Sequence, residues 1–177
     1  MTSPADASTT SPAGRRIVAA VVTGEIGEAV QRWREEHDPA QARRLPPHAT
    51  LCYWAPTVEP ELLERQVRHA LPAPVSVRLR AVRHFANKDR TLYLPVEETT
   101  ALDDARVRLY DGTYLALTKD HDWDWHVTVV RYGRHRQTDW LLAEGVPLPD
   151  GGRWTIDTVA YMELRDGVYH DLARWQL

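Results

Sequence analysis

Apolar positions along the chain change period several times, and each change predicts an element. The run Ile17-Val18-Ala19-Ala20-Val21-Val22 is short and continuous, which predicts a buried strand over about 16–23. From Glu25 onward Ile26, Ala29, Val30 and Trp33 recur at helical spacing. Pro39 has no amide hydrogen for an interior helical turn and is expected to end that helix. Pro46 and Pro47 then lead into His48-Ala49-Thr50-Leu51-Cys52-Tyr53-Trp54, a strand-like run. Pro60 suits the first turn of a second helix, whose Leu63, Val67, Ala70 and Leu71 share one face. Val75 to Val82 predicts the next strand. The pattern then recurs, with a strand at Thr91 to Val96 and a helix from Thr100-Ala101-Leu102-Asp103 to about Tyr110. A strand at Trp125 to Tyr132 and a short helix from Thr138-Asp139 follow. Trp154 to Trp175 reads as a hairpin turning at Arg165-Asp166-Gly167.

Strand, helix, strand opening on histidine, helix, strand thus occurs twice. Short strands alternating with helices in two matching halves predict an α+β fold. Its expected form is two-lobed and pseudo-duplicated, with antiparallel sheets and flanking helices around a central cleft. The length of 177 residues fits a single such domain over 15–177. Residues 1–14 hold only Met, Thr, Ser, Pro, Ala, Asp and Gly without apolar periodicity, and are expected to form a disordered tail.

Composition narrows the classes of function. Hydrophobic residues make up 43% of the chain, enough for a real core, and 27% are charged. A net charge of −3 argues against coating long nucleic acid through bulk electrostatics and leaves a local basic cleft open. No apolar run approaches the ~20 residues a bilayer span needs, so no membrane partner is expected. The opening residues lack the basic start and apolar stretch of a signal peptide. One cysteine, Cys52, excludes an internal disulfide and a Cys-rich zinc site. The expectation is a cytoplasmic, monomeric protein without a cofactor, and its eight histidines are the first hint of chemistry.

The sharpest signal is a matched pair of tetrapeptides, His48-Ala49-Thr50-Leu51 and His126-Val127-Thr128-Val129, each on the second strand of its half. One His-x-Thr carries no information, but two with apolar residues after both His and Thr, equivalently placed, are rare by accident. Side chains alternate faces along a strand, so His48 and Thr50 point one way while Ala49 and Leu51 point the other. His126 and Thr128 do the same against Val127 and Val129. If the halves oppose one another, a cleft receives two imidazoles and two hydroxyls. Two imidazoles can divide the work of general base and general acid near neutral pH. Threonine hydroxyls can donate to the nonbridging oxygens of a phosphate.

Over roughly residues 16–175 the chain resembles the two-histidine (2H) phosphoesterase superfamily, most closely its 2′-5′ RNA ligase and 2′,3′-cyclic phosphodiesterase group. Pro46-Pro47-His48-Ala49-Thr50-Leu51 and Trp125-His126-Val127-Thr128-Val129 resemble the two signature strands, and Phe85 to Leu94 resembles the link between lobes. The resemblance implies metal-independent hydrolysis or ligation of RNA ends or of a small cyclic nucleotide. One histidine would deprotonate water or a ribose hydroxyl, the other would protonate the departing ribose oxygen, and Thr50 and Thr128 would hold the phosphate. It also implies substrate contacts five residues beyond each histidine, here Tyr53 and Arg131. Strict alternation sends both to the wrong face, so a bend or bulge is required as each strand ends. The chain departs from the family in Trp125, where proline is frequent, and in the acidic run His121-Asp122-Trp123-Asp124.

Other readings remain open beside this one. Asp122, Asp124 and His126 would share a face of a continuous strand and supply metal ligands, but no standard metal motif is present, and no metal is expected. A metal-dependent hydrolase and a nucleotide- or RNA-binding module without turnover are the alternatives to the phosphoesterase. Trp54 and Tyr132 share the cleft face by alternation and would either stack a nucleobase or line the core rim. Cys52 alternates onto the His48 face and reads as a small half-buried residue. His37, His69, His84, His135 and His170 read as surface or structural. Arg78, Arg80, Arg83, Lys88 and Arg90 read as a solvated sheet face rather than a phosphate-tracking strip.

Overall fold

A computed structural model of the chain describes residues 14–53, 55, 57–86, 90–110, 124–131 and 135–177, with backbone alone at 135–137. The first half contains β1 (Arg16–Val21), α1 (Gly24–His37), α2 (Pro39–Arg44), β2 (His48–Tyr53), α3 (Pro60–Ala70) and β3 (Val75–Leu79). After a two-residue strand β4 (Arg83–His84), the second half runs through β5 (Leu92–Glu97), α4 (Thr100–Tyr110), β6 (His126–Val130) and α5 (His135–Glu144). A 3-10 turn at Pro149–Gly152 leads to β7 (Arg153–Ile156), β8 (Thr158–Arg165) and β9 (Val168–Gln176). The α+β class and the twofold recurrence of strand and helix are as expected.

Three local expectations change. Pro39 does not simply stop α1. It opens α2, where its missing amide costs nothing, and the Asp38 carboxylate caps that helix by accepting from the Gln41 amide at 3.1 Å. The long hairpin holds only for β8 and β9. They turn through Asp166 (φ 49°) and Gly167 (φ 81°), the two left-handed residues that a type I′ turn needs. Trp154 instead belongs to β7, a separate strand paired with β3. α5 starts three residues before Thr138.

All strand pairs are antiparallel, in the order β7-β3-β5-β6-β2-β1-β8-β9, with β4 beside β5. The two halves therefore meet edge to edge at β2 and β6, within one curled sheet. Each completes the other's flank: β3 follows α3 in the chain but lies beside β5, and β8 returns to β1.

The main core covers one face of this sheet. Val18, Ala20, Ala49, Leu51, Leu94 and Val127 contribute from the strands, and Val30, Leu63, Leu102 and Leu141 from the helices. Each valine or leucine among them contributes about 1.5–3 kcal/mol on burial. α1 lies close against the end of β1, because a Cβ at Gly27 would sit 2.3 Å from the Val22 carbonyl oxygen. A second, smaller cluster of Ile17, Ala19, Val21, Leu45, Ala160 and Met162 packs on the opposite face. Among the described residues, no helix is long and apolar enough to cross a membrane.

Candidate active site

β2 and β6 are joined through the pair Ala49 and Val127. Antiparallel register then sets His48 across from Thr128 and Thr50 across from His126. Ala49 and Val127 both enter the main core, so all four signature side chains occupy the other face. Directly opposed residues have Cβ atoms about 4.5–5.5 Å apart, which places the two imidazole–hydroxyl pairs around one small patch. The halves bring these residues together as neighbouring strands, not as walls of two separate sheets.

Each strand carries a bulge three residues after its histidine. In β2, Val18 pairs with Cys52 and Ala19 with Thr50, which leaves Leu51 as the extra residue. In β6, Leu92 pairs with Val130 and Tyr93 with Thr128, which leaves Val129 as the extra residue. Consecutive side chains at each bulge, Leu51 with Cys52 and Val129 with Val130, therefore both turn into the main core. The alternation resets, and the residues five beyond each histidine return to the histidine face. Tyr53 pairs with Ile17 of the opposite-face cluster and is 37% exposed, so it is reachable from solvent. Arg131 follows Val130 and is half-buried.

The same bulge corrects the placement of Cys52. It does not share the His48 face but lies buried in the core, where burial pushes its thiol pKa up. Trp54 and Tyr132 lie outside the described residues, as do His121, Asp122, Trp123 and Lys88.

A bulge and the strand end beyond it leave ladder groups without their usual partners, and here side chains supply them, Tyr110 and Asp38 from the opposite half and Thr91 from the same one. The Tyr110 hydroxyl at the end of α4 donates to the Leu51 carbonyl at 3.1 Å. Asp38, between α1 and α2, accepts the Arg131 amide at 2.9 Å with its second carboxylate oxygen. Thr91 Oγ1 donates to the Arg131 carbonyl at 2.9 Å.

Backbone carbonyls also set the histidines' tautomers. His48 Nδ1 lies 2.9 Å from the Pro46 carbonyl and His126 Nδ1 lies 2.7 Å from the Asp124 carbonyl. A carbonyl only accepts, so both Nδ1 atoms carry hydrogen, and each Nε2 is left to take or give a proton. Trp125 anchors this turn: its ring is buried and its Nε1 donates to Asp103 at 2.7 Å.

The surroundings of the two rings differ. Burial pushes the His48 pKa down to about 4, aided by the Arg34 cation and opposed by the Pro46 hydrogen bond. Arg34 is itself 1% exposed, and its guanidinium donates to the carbonyls of Gln41 and Leu45 at 3.0 and 2.9 Å. Burial also lowers the His126 pKa, while the hydrogen bond to the Asp124 carbonyl and the Asp124 charge pull it back up. Phe85 and Tyr93 stack at 4.0 Å, and both turn ring edges against His126, at 5.0 and 5.6 Å.

Asp38, Arg34 and Tyr110 were not expected in the site. Their roles depend on contacts distant in sequence, and no local pattern marks them. Phe85 and Tyr93 had a signal, since both lie in the inter-lobe stretch. Arg78 and Arg80 pair with Glu98 and Glu97 at 3.1 and 2.6 Å, in keeping with a solvated sheet face.

The profile of the 2′-5′ RNA ligase superfamily matches residues 22–167. The chain belongs to that superfamily. The matched span takes in both β2 and β6, which meet at the junction of the halves. Among solved structures, the chain is similar to Escherichia coli LigT in its apo form, at 19% identity and TM-score 0.58, over 94% of this chain and 99% of that one. E. coli LigT complexed with 3′-AMP is similar at 18% identity and TM-score 0.59, over 93% and 98%. A crystal structure described as a phosphoesterase matches at 18% identity and TM-score 0.60, also over 93% and 98%. These likenesses establish the shared superfamily fold. No curated protein sequence matches significantly.

Proposed function

We propose that this chain is a phosphoesterase acting on 2′,3′-cyclic phosphate or 2′-5′ phosphodiester bonds of RNA ends or nucleotides, by two-histidine general acid–base catalysis. The observation that carries the reading is the β2–β6 register, which sets each histidine across from the other strand's threonine, with no backbone partner at either Nε2 among the described residues. Binding of 3′-AMP by a structure of the same fold supports a nucleotide substrate.

In hydrolysis, water attacks phosphorus as His48 Nε2 removes its proton. The bond from phosphorus to one ribose oxygen breaks, and His126 Nε2–H supplies that oxygen with a proton. Turnover leaves His48 protonated and His126 neutral, and exchange with solvent resets both. His48 suits the base because burial beside Arg34 keeps it neutral; burial lowers the His126 pKa too, but there the Asp124 carbonyl and charge oppose that shift, which makes His126 the better of the two to carry the acid's proton. Thr50 and Thr128 hydroxyls donate to the nonbridging oxygens. Arg131 balances phosphate charge, and Tyr53 offers a stacking face.

The test is hydrolysis of a 2′,3′-cyclic mononucleotide in excess EDTA. Activity is expected to survive, and His48→Ala and His126→Ala are each expected to lower kcat at least about 100-fold. Activity that disappears with EDTA would favour a metal-dependent hydrolase. Binding without turnover across cyclic mononucleotides and cyclic-ended oligoribonucleotides would make the protein a binding module.

A further inference from the structure

A groove of about 660 Å³ lies between α1, α2 and β9, outside the patch formed by the signature residues. Its volume is in the range of ligand sites. It nevertheless shares a wall with His48. Pro46 and Pro47 line it and immediately precede that residue, and the Pro46 carbonyl is the one that holds His48 Nδ1. Val21, another lining residue, is the strand partner of His48.

The groove is cationic in a protein of net charge −3. Four arginines line it, Arg32, Arg43, Arg44 and Arg174, against two glutamates, Glu28 and Glu35. Arg32 is drawn to Glu28 at 3.6 Å, and Arg174 pairs with Asp171 at 2.8 Å. Glu35 accepts from the Gln31 side chain at 2.9 Å. Among the described residues, no carboxylate pairs with Arg43 or Arg44. Both stand in the last turn of α2, just before the proline pair. Arg44 lies over the Tyr169 ring at 6.0 Å, and its Nε is buried without a hydrogen-bond partner. Two arginines without countercharge beside an aromatic ring form the kind of surface that tracks a single-stranded backbone and stacks a base.

We propose that this groove binds the phosphodiester backbone of an RNA strand whose terminal phosphate occupies the two-histidine site, with Arg43 and Arg44 contacting the phosphates next to that end. This rests on the phosphoesterase reading and sharpens it, since it makes a strand end rather than a free mononucleotide the better substrate. A mononucleotide has no phosphate to place in the groove.

The experiment measures fluorescence anisotropy of a fluorescein-labelled eight-nucleotide oligoribonucleotide ending in a 3′-phosphate. The matching mononucleotide 3′-phosphate is assayed by competition, and a 2′,3′-cyclic mononucleotide is used for turnover. Arg43→Gln/Arg44→Gln is expected to weaken oligomer binding about 10-fold or more, while mononucleotide binding and cyclic mononucleotide turnover stay unchanged. The slope of log Kd against log salt is expected to fall by about 1.4, two single-strand phosphate contacts at roughly 0.7 each. Arg43→Gln alone, on an exposed side chain, is expected to give about half that slope change, and it guards against a folding defect at Arg44. Arg80→Gln removes the same charge elsewhere and is expected to change nothing.

The groove is refuted if the wild-type protein binds the oligomer no better than the mononucleotide, or if the double variant weakens both alike. Loss of oligomer binding in the double variant, in a protein that hydrolyses no cyclic phosphate, would keep the groove and overturn the catalytic reading. Normal turnover with undiminished oligomer binding would do the reverse.

Discussion

The His48 and His126 strands use one backbone device in two different settings. Each begins with an imidazole whose Nδ1 is held by the carbonyl two residues earlier, and each bulges three residues later. Around His48 stands the buried Arg34 cation. Around His126 stand the ring edges of Phe85 and Tyr93, with the Asp124 charge nearby. The difference teaches that duplication supplies the geometry while the packing of each half assigns the chemistry. Two residues placed by the same rule come to have different proton affinities.

The largest disturbance of this balance is expected at Asp38, which caps α2 and takes the Arg131 amide across the junction. Asp38→Ala strands that amide and uncaps the helix, at a cost of about 2–4 kcal/mol. A drop in kcat/KM of at least about 10-fold is expected with it, from misplacement of Arg131. Asp38→Asn keeps one oxygen for the cap but turns an NH2 towards the Arg131 amide, so it is expected to recover only the capping share of the stability. Urea unfolding beside steady-state kinetics on one preparation measures both effects.

Acid should expose the asymmetry without mutation. His48 binds its proton near pH 4 when folded and near 6.5 when unfolded, so the unfolded state holds more protons between these values. Stability is therefore full above about pH 6.5 and falls as the pH drops towards 4. The loss attributable to His48 is on the order of 2 kcal/mol at pH 4.5. Comparing the urea midpoints of wild type and His48→Asn at pH 7 and 4.5 isolates it. An equal acid loss in both proteins would remove His48 as the cause.

A subtler probe is Phe85→Ala, which admits water to one side of His126 only. Relief of burial should move the His126 pKa up towards 6.5 and leave His48 in place, as read from the two imidazole resonances in an NMR titration. The smallest effect is expected at the solvated pair Arg80–Glu97. Arg80→Ala should change stability by less than about 1 kcal/mol and leave kcat/KM for a cyclic mononucleotide unaltered.

The elements were legible in the sequence where local periodicity is strong. β1, α3, β5, α4 and the Asp166-Gly167 turn follow from apolar spacing and turn chemistry alone. So does the sharing of a face by His48 with Thr50 and by His126 with Thr128, because alternation along a strand needs no partner. Pro39 marks the end of α1 in the sequence but not the start of α2, because the same missing amide suits the end of one helix and the start of the next. Cys52 was misread because alternation was carried through a bulge that nothing in Leu51-Cys52-Tyr53 announces.

What this sequence settled unaided is the inventory: two histidine–threonine couples, each on one side of its own strand, with Tyr53 and Arg131 at matching offsets. Only the tertiary structure decided that those strands are neighbours, that Leu51 and Val129 are the extra residues, and that Tyr110 and Asp38 satisfy the groups left over. Side-chain direction along a strand is a property of the local backbone. Register, bulges and the burial that separates the two histidines arise when distant segments compete to pair their amides and remove apolar surface from water.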